Sequence, residues 1–177
     1  MGQGKCRAEM SEKDYEAYAI RLLPKFYETS DYPHVFRALR EKDPTFRKVS
    51  DDTFGFEFLS LKLALACRIW DKACEENEVK DEAEKKALLR VIMNSFQSPK
   101  FVKIAEAFSD YLHSENADAK PWIALPAHFF KRLKVSGVDK KKWKEDISEA
   151  FQFLVGLSEG FKNSFENQFF EFANSIE

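Results

Sequence analysis

Histidine is the residue type in this 177-residue chain with the widest chemical range, and it occurs three times, as His34, His113 and His128. His128 lies in the run Leu125-Pro-Ala-His-Phe-Phe, at the edge of an apolar helical face. A neutral imidazole is a common axial ligand of haem, and a Phe-rich helical interior could hold a porphyrin or another hydrophobic ligand. The alternative is that His128 is a packing residue, in which case we expect no cofactor.

Metal binding and nucleophilic catalysis have little support in the sequence. Glu106, Asp110 and His113 share one side of a helix, but this side is opposite the apolar stripe and predicts a solvated face, with no metal site. Cys67 and Cys74 stand about 10.5 Å apart along a helix axis, too far for one disulfide or one metal ion. The chain has no phosphate-binding loop, dinucleotide fingerprint or glycine-flanked nucleophilic serine. The sequence therefore names no catalytic residue and favours a non-enzymatic role.

A basic cluster lies between residues 131 and 144. It could bind anionic lipid head groups or an acidic partner, or form a solvated face in which nearby carboxylates pair with the cations. The net charge of the chain is −2, which argues against nucleic acid as the partner. The seven cations are Lys131, Arg132, Lys134, Lys140, Lys141, Lys142 and Lys144.

The N-terminal sequence Met-Gly-Gln-Gly-Lys-Cys-Arg suggests lipidation. Gly2 fits N-myristoylation, and Cys6, which replaces the preferred Ser or Thr, offers a thiol for palmitoylation. One acyl chain binds a membrane only marginally, so the basic cluster would supply the second signal. The alternative is a start sequence without modification. The odd cysteine count favours a reducing, cytoplasmic setting.

Phenylalanine is unusually frequent, with 18 residues in the chain. Most of these side chains belong in a hydrophobic core, because Phe has no polar group. Phe165, Phe169, Phe170 and Phe172 lie close together near the C-terminus, and we expect them to exceed what an intramolecular core absorbs. The leading hypothesis is therefore an interaction or regulatory module that binds a protein partner or associates with itself.

Hydrophobic residues recur at helical spacing along the chain and predict an all-α fold, an irregular and partly orthogonal bundle of about seven helices. We expect a mobile tail over 1–10, followed by a single domain over 11–177. The helix over 52–77 is apolar on nearly every side and should be central. The stripe over 139–176 predicts one long helix, or a hairpin that breaks at Gly156 and Gly160.

The other helices are predicted from caps and prolines. One begins at Ser11 and is kinked or broken at Pro24, and the next covers 31–40. A third covers 81–97, a fourth begins at Ser98-Pro99, and a fifth begins at Leu125-Pro126.

Overall fold

The computed structural model describes residues 12–27, 32–114, 120–135 and 148–174. These residues form helices, turns and short connections without a strand, so the prediction of an all-α bundle is confirmed. The tail predicted over 1–10 lies outside the described residues. The helices are α1 (Glu12–Tyr27), α2 (Tyr32–Lys42), α3 (Asp51–Glu76), α4 (Glu82–Lys85), α5 (Ala87–Ser95), α6 (Val102–Leu112), α7 (Pro121–Leu133) and α8 (Glu149–Asn174), with 3-10 turns at Pro44–Lys48 and Pro99–Phe101.

Helix α3 is the central element, as its apolar sequence predicted. Its first turn is capped by Ser50, whose hydroxyl accepts a hydrogen bond from the Thr53 backbone N–H at 3.2 Å. Asp51 and Asp52 add negative charge where the helix dipole favours it. Helix α3 packs against α6, α7 and α8, and its Trp70 has no exposed surface. The remaining helices are therefore arranged around one apolar axis.

The structure differs from the prediction at two prolines, Pro24 and Pro126, which both lie inside helices. Helix α1 continues through Pro24, so no break occurs there. The carbonyl that loses its helical partner belongs to Ile20, whose side chain is 54% exposed, and water can satisfy it on that side. The predicted start of α7 at Leu125-Pro126 is wrong, because α7 begins at Pro121 and contains Pro126 in its interior. Pro121 offers the same favourable first-turn proline five residues before Pro126.

The helix predicted over 81–97 is divided at Lys86 into α4 and α5. Asp81 caps α4 by accepting a hydrogen bond from the Ala83 backbone N–H at 2.6 Å. The guanidinium of Arg90 donates to the Ala83 carbonyl at 3.0 Å, which satisfies an oxygen near the division. A side chain therefore compensates for the interrupted helical ladder.

Helix α8 is continuous through Gly156 and Gly160, which decides against a hairpin within 149–174. Its 26 residues span about 39 Å at the usual rise per residue. Ser148 lies just before the helix and is not helical, and the part of the predicted stripe over 139–147 lies outside the described residues.

The surplus of phenylalanine is used mainly in the core, where the buried side chains form one continuous cluster. One aromatic group joins α1, α3 and α8, and a second joins α2, the first 3-10 turn, α3, α7 and α8. Ring pairs of this kind add about 0.5–1.5 kcal/mol each beyond area burial. The first group contains Tyr15, Tyr18, Trp70, Phe169 and Phe172, and the second contains Phe36, Phe46, Phe54, Phe58, Phe129, Phe130 and Phe151.

Candidate interaction surface

Three of the four phenylalanines predicted to contact a partner are buried. Phe165 stacks on Phe26 with ring centroids 5.7 Å apart, and Phe169 meets the edge of Trp70 at 5.2 Å. Phe172 stacks on Tyr18 at 3.7 Å. Their exposed fractions are 4%, 1% and 8%, so the predicted patch of four is corrected. The core absorbs these three because they recur on the inward side of α8 at helical spacing.

Phe170 is the exposed member of the set, at 61% of its surface. It is the last residue of a row that runs along the outer side of α8 at alternating intervals of four and three. We call this row the outward seam, and every member of it is exposed. The same spacing forms the contact line of paired helices in coiled coils. Its members are Gly156, Gly160, Asn163, Asn167 and Phe170.

No residue that the structure describes packs against the two glycines of the outward seam. A Cβ atom built on either Gly156 or Gly160 would meet nothing within 4 Å. Glycine inside a helix costs roughly 1 kcal/mol relative to alanine. The helix therefore carries two destabilising residues that leave its outer surface flat and its backbone accessible.

The outer surface of α8 is acidic. Its exposed charged residues are Glu149, Glu159 and Glu171. Lys162 is the one basic residue in the α8 sequence, and its side chain is only 17% exposed. It pairs with Glu166 at 2.9 Å and lies 4.8 Å from the centre of the Trp122 ring. Glu149 pairs with Lys42 of α2 at 3.8 Å, so the negative charge on the outer side of α8 comes mainly from Glu159 and Glu171.

The predicted basic cluster contains cations in different environments. Lys131 and Lys134 are exposed, whereas the side chain of Arg132 is 27% exposed. Arg132 donates to both carboxylate oxygens of Glu57, from Nε at 2.7 Å and from Nη2 at 2.8 Å. It also donates to Asp110. Arg132 is therefore removed from the predicted anion-binding set. Lys140, Lys141, Lys142 and Lys144 lie outside the described residues.

His128 belongs to the same polar network as Arg132. Its Nε2 atom lies 3.2 Å from the Asp110 carboxylate, and its ring meets the edge of Tyr111 with centroids 5.1 Å apart. An axial haem bond at Nε2 would have to displace Asp110. This cost weighs against haem binding by His128, which stays a prediction.

The charged groups of this network stabilise the packing of α3, α6 and α7. Burial raises the pKa of Tyr111 well above its usual value, and the nearby Glu57 carboxylate raises it further. The Tyr111 hydroxyl donates to Glu57 at 3.0 Å. Burial opposes ionisation of Asp110, but hydrogen bonds from Arg132 and His128 outweigh it and lower the pKa of this carboxyl. The network thus joins α3, α6 and α7 through ionised groups that hold one another.

The two thiols on α3 are unsuited to nucleophilic chemistry. Burial raises the pKa of Cys67 far above its usual range, and the same cause raises that of Cys74 to about 12. Both therefore remain protonated at neutral pH, and a protonated thiol is a weak nucleophile. The proposed lipidation residues Gly2 and Cys6 lie outside the described residues.

The described residues contain neither a cluster of metal ligands nor a helix suited to cross a membrane. Within them, no group of three or more His, Cys, Asp or Glu side chains is arranged to hold a metal ion. Glu106 and His113 are exposed, in keeping with the predicted solvated side of α6. None of the helices in this part of the chain combines the length and apolar character that crossing a membrane requires.

Sequence reasoning missed both the outward seam and the pairing of Glu57 with Arg132. The seam has a readable signal, because its intervals of four and three are visible in the sequence. The ion pair has none, since its partners are 75 residues apart. Comparison with known proteins finds no matching family model, no similar curated protein and no similar solved structure.

Proposed function

We propose that this protein is a non-enzymatic interaction module that binds an α-helix of a partner protein along the outward seam of α8. The observation that carries the proposal is the pair of glycines, Gly156 and Gly160, on an exposed helix face where none of the described residues requires them. A residue that lowers the stability of the free chain without an internal benefit is a candidate for function.

A helix is the occupant that best fits the seam. Its members follow the intervals of four and three at which one helix meets another. Gly156 and Gly160 permit a close approach of the two backbones, and interaxial distances shorten when contact side chains are small. Asn163 and Asn167 offer amide groups that can set the register of a paired helix.

The partner helix is expected to carry lysine or arginine. Glu159 and Glu171 would face it beside the outward seam, and complementary charges guide association and fix orientation. Phe170, at the C-terminal end of the seam, is suited to be an aromatic anchor that fits a pocket between partner side chains.

Four titratable groups of the described residues are poorly suited to proton transfer or nucleophilic attack at neutral pH. Burial raises the pKa of the thiols of Cys67 and Cys74 and of the Tyr111 phenol, so these groups stay protonated and inert at neutral pH. Asp110, the carboxyl whose pKa is lowered within the polar network, is held by Arg132. Catalytic acids and bases are instead tuned toward the working pH.

Site-specific photo-crosslinking in the cell of origin tests the proposal. A photoreactive amino acid at Asn163 should capture a distinct protein, whereas the same group at Asn94, which is exposed on α5, should not. The captured segment is expected to be a basic helix. The purified partner should bind the Phe170→Ala variant at least about tenfold more weakly than the wild type. Equal capture at both positions, or unchanged affinity, contradicts the proposal.

Self-association is a second outcome that the same seam permits, and a cross-link between two copies of this chain would identify it. Phe169→Asp would place a charge in the core, so Phe170→Asp is the informative variant in size-exclusion chromatography with light scattering. Monomers for both wild type and variant would exclude self-association.

Peripheral membrane attachment is a further part of this proposal. It rests on Gly2 and Cys6 in the sequence and on the exposed cations Lys131 and Lys134. The intact mass of protein expressed in eukaryotic cells tests it, because an acyl chain adds a defined mass. An unmodified Gly2 contradicts attachment through the N-terminus and leaves the helix-binding seam unaffected.

A further inference from the structure

A second feature of the molecule lies apart from the outward seam, where the first 3-10 turn leads into α3. Phe46 and Phe54 have no exposed surface, and their ring centroids lie 6.5 Å apart. Between these two rings the chain runs across the surface, and of residues 47–53 only Val49 is buried. We call residues 47–53 the surface segment. The core holds it at both ends, and solvent reaches it along its length.

Ser50 lies at the centre of the surface segment and is exposed. Its hydroxyl donates to Thr53 Oγ1 at 2.8 Å and accepts from the Thr53 backbone N–H at 3.2 Å. The backbone is extended at Val49, with φ −86° and ψ 128°, and at Ser50, with φ −73° and ψ 155°. The first turn of α3 that follows can fray at little cost, because its N–H groups have no partners within the helix. A modifying enzyme can therefore reach the Ser50 hydroxyl without opening the core.

Two basic residues precede Ser50 in the surface segment. Arg47 lies three residues before it and Lys48 two residues before it, and both are exposed. No ion pair joins either cation to another of the described residues. Among all serines and threonines of the sequence, Ser50 alone has an arginine three residues before it. Protein kinases select their substrates by such charge patterns, in which acidic side chains of the kinase bind the cations.

Two carboxylates follow Ser50, and one of them is already paired. The Nη2 atom of Arg40 donates to Asp51 Oδ1 at 3.1 Å and to the Val49 carbonyl at 3.0 Å. These acceptors belong to the residues on either side of Ser50, so a guanidinium lies beside the middle of the surface segment. Arg40 offsets the charge of Asp51, whereas the two exposed cations before Ser50 keep theirs. The cations are therefore the stronger feature for recognition.

We propose that Ser50 is a phosphorylation site for a protein kinase that selects basic residues before its target serine. The γ-phosphoryl group of a nucleoside triphosphate passes to Ser50 Oγ. The bond between Oγ and the γ-phosphorus forms, the bond from that phosphorus to the β,γ-bridging oxygen breaks, and the nucleoside diphosphate leaves. The hydroxyl proton goes to a carboxylate of the kinase. This inference does not depend on helix binding by the outward seam.

A phosphate at Ser50 changes the charge of the surface and preserves the start of α3. The two cations and two carboxylates of the surface segment sum to zero, and phosphoserine carries about −1.5 to −2 at pH 7. Its oxygens can accept from the Thr53 backbone N–H as the hydroxyl does, and the dipole of α3 favours an anion at this end. The modification therefore converts a neutral surface segment into a negative one.

Phosphorylation of the full-length protein in vitro tests the proposal. The enzyme is the constitutively active catalytic domain of a calmodulin-dependent protein kinase, which selects an arginine three residues before serine or threonine, and the donor is ATP. The intact mass should show the addition of one phosphoryl group, and peptide mapping should place this group on Ser50. Ser109 and Ser164, which are exposed but have no basic residue three positions before them, should stay unmodified.

Matched variants separate recognition from folding. Arg47→Gln combined with Lys48→Gln keeps Ser50, and the rate of modification should fall at least about tenfold, because charge-assisted hydrogen bonds to the kinase are lost. Asp51→Asn combined with Asp52→Asn is the control and should leave the rate within about twofold. Ser50→Asn keeps a residue that caps the helix and should take up no phosphate. Thermal unfolding verifies that each variant is folded.

A kinase-treated protein without phosphate on Ser50 would overturn the inference, and a peptide of residues 44–56 that is modified under the same conditions would show that the fold hides the site. An unchanged rate after the loss of Arg47 and Lys48 would also overturn it, since recognition would not depend on the cations. A rate that falls instead with the loss of Asp51 and Asp52 would assign Ser50 to a kinase that selects acidic residues, which contradicts the proposal. None of these results bears on the outward seam.

Discussion

The inward and outward sides of α8 differ in the size of their side chains and in what these contribute to the stability of the chain. The inward side is large and aromatic, with Phe165, Phe169 and Phe172 packed on α1 and α3. The outward seam is flat, from Gly156 to Asn167, and ends at the exposed ring of Phe170. The inward side is explained by the stability of the free chain, whereas the seam lowers that stability. This contrast supports the proposal that the seam binds a partner.

The largest expected effect separates two adjacent phenylalanines. Phe169→Ala should lower the free energy of unfolding by about 3–5 kcal/mol, because it empties a buried ring site against Trp70. Phe170→Ala should change it by less than about 0.5 kcal/mol, because that ring is mostly exposed. Urea denaturation of both variants checks the difference. Similar losses at the two positions would contradict the orientation of α8.

A smaller effect should distinguish two neighbouring cations of α7. Arg132→Met should cost about 2 kcal/mol, because it leaves the Glu57 carboxylate, 12% exposed, without its bidentate partner. Lys131→Met should cost less than about 0.5 kcal/mol, because Lys131 is exposed. The midpoints of urea denaturation compare the two. If Arg132→Met costs no more than Lys131→Met, the network does not hold α3 to α7.

Substitutions in the outward seam should change the free energy of unfolding in the opposite direction to substitutions on the inward side of α8. Gly156→Ala and Gly160→Ala should each raise the free energy of unfolding by about 0.5–1 kcal/mol, since a Cβ atom meets open space and alanine is the better helix former. Ala150→Gly, at a buried inward position of the same helix, is the control and should lower it. A loss of stability in either glycine variant would mean that the free chain needs these glycines.

The smallest effect concerns pH. The pKa of Asp110 is lowered in the folded chain, so this carboxyl adds stability above its unfolded pKa of about 3.9 and loses that contribution as the pH falls through the folded value. Because the Asp110 side chain is 50% exposed, the contribution should stay below about 1 kcal/mol. Asp110→Asn should therefore lose less stability than the wild type between pH 7 and about 3. An identical acid response would contradict this.

Much of the fold follows from local signals. The apolar sequence over 52–77 predicted the bounds of α3 closely, and it predicted the central place of this helix because a helix that is apolar on nearly every side is usually buried in the middle of a bundle. The division at Lys86 was missed, since the bond from Arg90 that supports it depends on three-dimensional position. The start of α7 was predicted at Leu125-Pro126, but Pro121 is an equally suitable first-turn proline and is where the helix begins.

The site shows the same division between local and long-range information. Phe169 and Phe170 are adjacent in sequence but point about 100° apart around the helix. That difference was available from the sequence, although the four phenylalanines were grouped by proximity. The pairing of Arg132 with Glu57 was not available, because a bond between residues 75 positions apart depends on how α3 and α7 pack. The number of basic residues over 131–144 therefore overestimated how many cations are available to bind an anionic partner.

The most direct test of the account is the affinity of the partner captured at Asn163 for the Gly160→Leu variant. Leucine favours the helix and should leave the free energy of unfolding unchanged or higher, while its side chain separates the two backbones. We expect the affinity to fall at least about tenfold, with Asn94→Leu on α5 as the control that retains it. Unchanged affinity in Gly160→Leu would contradict the assignment of the outward seam to a partner helix.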